Sequence, residues 1–187
     1  MTAEFQTTCW RGIVVRHPAA WELAVASGTG QDNRCTFADR EYQRLEVLWR
    51  ELTFVPKVGI LLERHRKAAQ NQKVPCRDLT DLADGWEGFC QDPPQGSQRG
   101  VVVRAARAFD EGKTKVLVEV TIVWPGRRDV DLEKQILAGV QPAPEGATRL
   151  WRAMGLEVEL PREFDLVEMK APVGKVEWTF HAGGKKD

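Results

Sequence analysis

The sequence predicts an α/β protein of the α+β type, with a mostly antiparallel sheet, two flanking helices and a β-hairpin motif that occurs twice. Three observations carry this. Short β-rich segments separated by turn residues fill the first fifty positions. The apolar period then lengthens to three or four residues in two segments, about 58–72 and 130–138. Finally, the spacing from Gly12 to Pro18 recurs from Gly155 to Pro161.

The elements follow in order. Residues 10–16 are rich in β-formers and stop at His17-Pro18, where proline ends a ladder. Residues 21–26 form the next strand and lead into the turn-forming cluster 27–33. Residues 34–38 and 44–49 form an antiparallel pair across 39–43, so the opening reads as a meander. In the first helix, Val58, Leu61, Leu62, His65, Ala68 and Ala69 form one face. Glu63, Arg64, Arg66, Lys67 and Gln70 form the other, and the helix ends before Pro75. A polar connector, 78–84, precedes a strand at 86–91 and a surface turn at 92–100. Strands 101–109 and 115–124 form a hairpin through 110–113. The second helix has Asp129 or Asp131 at its N-terminus, where a carboxylate favours the helix dipole, and Gly139 stops it.

The recurrence extends beyond glycine and proline. An aromatic falls three residues after each proline (Trp21, Phe164), an acid four after (Glu22, Asp165) and a leucine five after (Leu23, Leu166). Residues 175–180 follow as a strand resembling 44–49. This pattern reads as a duplicated hairpin opening. It divides the chain into an α/β module at 1–144 and a partial repeat at 145–187. The repeat either packs on the same sheet or begins a truncated second module.

The stretch from Gly12 to Leu23, G-(I/V)-x-V-x-x-P-x-x-W-E-L, together with the element order, resembles the PsbP-like superfamily over about residues 10–140. That group includes the extrinsic photosystem protein and a Ran-binding nuclear import factor. The resemblance implies an antiparallel sheet flanked by helices and a non-catalytic binding or assembly role. It carries no functional residue onto this chain, because those residues differ between members.

Charge narrows the function classes. The chain has 27 Lys and Arg against 27 Asp and Glu, which argues against a dedicated nucleic-acid binder. The balance hides two blocks. Residues 57–77 hold six bases and one acid, and 78–92 hold five acids and no base. No stretch approaches the ~18 apolar residues of a membrane helix, and the N-terminus has no signal-peptide pattern. A cytoplasmic location with reduced Cys9, Cys35, Cys76 and Cys90 is the expectation, without a membrane partner. No local signature joins a cysteine to His17, His65 or His181, and no metal-ligand spacing or phosphate loop is present. Neither a catalytic set nor a cofactor is therefore expected.

The leading reading is a non-enzymatic interaction or assembly-factor module with a protein partner. Its candidate binding residues are Trp21, Arg64, Arg66, Lys67 and Trp86, because a basic helix face and exposed tryptophans favour docking. One alternative is a small-molecule-binding protein or hydrolase with His65, Cys76 or Asp78 at the rim of a cleft beside helix 58–72. The other is nucleic-acid contact through Arg64, Arg66 and Lys67, disfavoured because the helix lacks aromatics for base stacking.

Overall fold

The computed structural model describes residues 4–29, 32–93, 100–111, 114–170 and 175–183. Parts of the turns expected at 27–33, 92–100 and 110–113 lie outside these residues, as does the tail from 184. The described chain opens with β1 (Phe5–Trp10), β2 (Ile13–Pro18), β3 (Glu22–Thr29), β4 (Asp32–Ala38) and β5 (Gln43–Leu52). Helix α1 (Val58–Asn71) leads to β6 (Cys76–Asp78), β7 (Glu87–Gln91), β8 (Val101–Glu111) and β9 (Thr114–Trp124). Helix α2 (Val130–Ala138) precedes β10 (Val140–Pro142), β11 (Thr148–Ala153), β12 (Leu156–Pro161), β13 (Phe164–Lys170) and β14 (Glu177–Ala182).

The strand pairings among these elements are antiparallel, as the fold class requires. One sheet has the order β3-β4-β5-β9-β8-β7-β6, a second has β10-β2-β1-β11-β12, and β13-β14 stand as a pair. Alternation along the strands explains the layering. Leu45, Val47 and Trp49 of β5 and Val118, Val120 and Ile122 of β9 point to one face. There they share a core with Ile13 and Val15 of the second sheet. Helix α1 covers the opposite face over β6 to β8, through Leu62 against Phe89 and Ala106. Helix α2 packs on β2 and β10, and the Asp129 carboxylate accepts the Leu132 amide at 3.0 Å. Its Glu133 is completely buried, accepts Trp124 Nε1 and Arg128 Nε at 3.1 Å each, and so ties the helix to the core.

The described chain differs from the sequence reading at several points. Residues 10–16 are not one strand. Arg11 and Gly12 both have positive φ, 43° and 79°, and make a two-residue hairpin turn between β1 and β2. Met154 and Gly155 repeat it at 53° and 76° between β11 and β12. Ser27 and Gly28 extend β3, and Asp32 and Asn33 open β4, because ladder pairing overrides their turn preference. Strand β14 does not take a place like that of residues 44–49. It pairs with β13 as β4 pairs with β3. The short strands β6 and β10, and β11, complete the topology without an alternating pattern long enough to announce them. Strand β11 lies beside β1, with Cys9 opposite Arg152, so the two similar hairpins sit edge to edge in one sheet.

Candidate functional site

The segment between β5 and α1 and the outer face of α1 form the most distinctive surface. Leu62 and Ala69 turn toward the sheet, which sends Ile60, Arg64 and Lys67, one and two turns apart, into solvent. Phe54 and Val55 precede the helix. Phe54 is 67% exposed, Ile60 56% and Val55 42%, so three of the large exposed apolar side chains cluster within seven residues. Isolated exposed apolar residues are ordinary, whereas a cluster beside charge marks a contact surface. Arg64 and Lys67 have no acidic partner among the described residues.

Arg66 is engaged within the fold. Its guanidinium lies 4.9 Å above the Phe89 ring, pairs with Glu63 at 3.4 Å and bonds the Asp78 carboxylate. The opposite charge blocks thus meet locally at Arg66–Asp78, and again at Arg77–Asp92, 3.9 Å apart. Trp21 and Trp86 are both buried. Trp21 packs edge-on to Trp124 at 6.2 Å beneath Arg44, and Trp86 packs edge-on to Phe109 at 6.4 Å. Neither ring faces solvent. Of the five residues read as binding candidates, only Arg64 and Lys67 share the open face. Phe54, Val55 and Ile60 were missed, although Ile60 stands off the apolar stripe of α1 and could have been read from it.

The residues named for a cleft beside α1 do not converge. A cleft of about 290 Å³ there is lined by Asp78, Arg66, Trp86 and Glu87, but not by His65 or Cys76. The His65 ring bonds Glu119 of β9, on the face of the sheet that α1 packs against, at 2.9 Å, and the Cys76 thiol donates to the Val74 carbonyl. Burial pushes all four thiols above their ordinary value, which lowers the thiolate fraction a nucleophile would need. Among the described residues no three His, Cys, Asp or Glu gather as metal ligands. Among the described residues no helix is long and apolar enough to cross a membrane.

Thr8 and His17 form a different polar pair, at the base of a cleft between β1, β3 and the β11–β12 turn. Thr8 Oγ1 lies 3.0 Å from His17 Nε2, and His17 Nδ1 donates to the Pro18 carbonyl at 3.1 Å. Nδ1 therefore carries the proton and Nε2 accepts from the hydroxyl. Both groups are buried and hydrogen-bonded, with the imidazole 4.2 Å from the Phe37 ring. The Thr8–His17 bond adds one side-chain link between β1 and β2 to the six positions their backbones pair.

No family model matches the sequence, and no curated protein matches it. Among solved structures, the chain is similar to the Ran-binding protein Mog1p of Saccharomyces cerevisiae. The identity is 9% and the TM-score 0.48, over 75% of this chain and 96% of that one. It is also similar to a protein of Bacteroides thetaiotaomicron VPI-5482, at 10% identity and a TM-score of 0.40. That match covers 81% of this chain and 53% of the other. A functional reading therefore rests on this chain's own surfaces.

Proposed function

We propose that the chain is a protein-interaction module that docks an acidic partner through α1 and the segment before it. The observation that carries this is the cluster of Phe54, Val55 and Ile60 beside the unpaired Arg64 and Lys67. Exposed apolar side chains supply the contact area that aromatic and aliphatic anchors contribute to interfaces. The cations select a partner with carboxylates around an apolar anchor and speed encounter at low salt.

Capture from a native extract, compared across variants, tests the proposal. Phe54→Ser/Ile60→Ser and Arg64→Glu/Lys67→Glu each lose the same protein partner by about tenfold or more, since 1.4 kcal/mol is tenfold. Circular dichroism confirms that both variants fold. A partner retained by both, or binding abolished by nuclease, overturns the reading.

A further inference from the structure

We propose that the outer edge of β14 is a strand-acceptor site for an antiparallel strand of a partner protein. That strand carries large apolar side chains at every second position, with a lysine or arginine between them.

The match between the two parts of the chain is longer than the hairpin. A constant offset of 143 residues relates Gly12 to Gly155, Val15 to Val158, Pro18 to Pro161, Leu23 to Leu166, Thr36 to Thr179 and Phe37 to Phe180. The backbone obeys the same offset. Phe5 faces Pro18 and Trp10 faces Ile13, as Thr148 faces Pro161 and Ala153 faces Leu156. In β3 the register shifts after Leu23, leaving Ala24 unpaired, and in β13 it shifts after Leu166, leaving Val167 unpaired. Leu23 faces Phe37 and Val25 faces Thr36, while Leu166 faces Phe180 and Glu168 faces Thr179. A bulge at the same place in both copies fixes β14 as the counterpart of β4.

The first copy shows what covers such a strand. Strand β5 lies along β4 with Leu45 opposite Phe37, Val47 opposite Cys35 and Trp49 opposite Asn33. Under that cover Cys35 and Phe37 are completely buried. Strand β14 has β13 on one side and no described strand on the other. Trp178 and Phe180, at the positions of Cys35 and Phe37, are only half-buried. The Trp178 indole N–H is enclosed without an acceptor. The edge is also unguarded, with six residues and no proline, lysine or bulge of its own, whereas β12 ends in Pro161, β10 contains Pro142 and β13 carries the bulge. Trp178 already packs on Trp10 at 5.8 Å and Phe180 on Trp151 at 5.2 Å, so an added strand would satisfy the backbone and cover what remains exposed of the two rings.

Charge specifies the occupant further. Arg34 of β4 pairs with Glu46 of β5 at 2.5 Å. The counterpart of Arg34 is Glu177, whose present ion-pair partner is the exposed Lys175. An incoming strand therefore needs a cation where β5 has Glu46, because a second acid there would repel Glu177.

The test uses the full chain and a synthetic peptide with the β5 sequence, Gln43–Leu52, bearing Glu46→Lys. Hydrogen exchange is followed at 177–182, with β4 as internal reference. The peptide slows exchange at 177–182 and leaves 32–38 unchanged. It binds about fivefold more tightly than the unmodified β5 peptide, the scale of one cross-strand charge pair. Glu177→Lys reverses that preference, and Phe54→Ser/Ile60→Ser leaves it intact, so this result is independent of docking at α1. Absence of protection, or equal binding of the two peptides, overturns the proposal. Self-association through β14 without peptide also overturns it, by making a second copy the occupant.

Discussion

His17 is enclosed by Thr8, Phe37 and the Pro18 carbonyl, and burial holds its imidazole below the ordinary histidine value. The folded protein keeps this ring neutral, while the unfolded chain takes up a proton near pH 6.5. Its contribution to stability is thus complete above about pH 6.5 and is lost as pH falls below that value. The residue at the matching position of the second hairpin is Leu160. His17→Leu is therefore expected to flatten the fall in Tm between about pH 7 and pH 5.5, the range around the ordinary histidine value. Thermal unfolding across a pH series checks this, and equal slopes for the two proteins would count against it. Arg128 has the opposite dependence on its neighbours: its hydrogen bond to buried Glu133 stabilises its charged form. Arg128→Ala strands that carboxylate and is expected to cost about 3–5 kcal/mol. Arg128→Met/Glu133→Met removes both charges and costs less, as urea titration of the two variants measures. The Thr8–His17 pair could not be read locally, because it crosses a hairpin whose turn had not been placed. Arg128 and Glu133 are only five residues apart, but Asp81, which also accepts from Arg128 at 3.2 Å, lies 47 residues away and arrives only with the fold.

At the scale of elements, both helices were legible, because a 3.6-residue stripe and a stop signal coincide in each. The long strands β8 and β9 were equally plain. The Arg11-Gly12 turn was not, since an arginine rarely occupies the left-handed position where Asn or Asp marks this turn. At Gly12 and Gly155 a Cβ would meet nothing within 4 Å, so the strain of a substitution there is purely conformational. Gly12→Ala and Gly155→Ala are expected to cost about 1–2 kcal/mol each. Denaturant unfolding should show similar losses for the two, and a loss confined to one would break their equivalence. Helix α1 shows where sequence reading stops. Its basic residues were visible, but their division into the bound Arg66 and the open Arg64 and Lys67 depends on Phe89 and Asp78 arriving from elsewhere.

Across the whole molecule, the antiparallel architecture was visible in the sequence, while the place of β11 beside β1 was not. Strand order across 143 positions depends on which faces must be buried together, and local periodicity does not encode it. Trp10 meets Trp151 at 5.5 Å and Trp178 at 5.8 Å, joining the start of the chain to both late hairpins in one aromatic cluster.

That seam has a consequence for biosynthesis. Strand β1 is made well before its neighbour β11, so one of its edges stays unpaired until β11 follows. At roughly 5–20 residues per second the interval is on the order of ten seconds. During that time Trp10 and the free side of the hairpin are exposed to whatever else is unfolded nearby. The yield of folded protein in cells should therefore tolerate slow codons after residue 153 better than slow codons between β1 and β11, because pauses in that interval prolong the exposure of an uncovered strand.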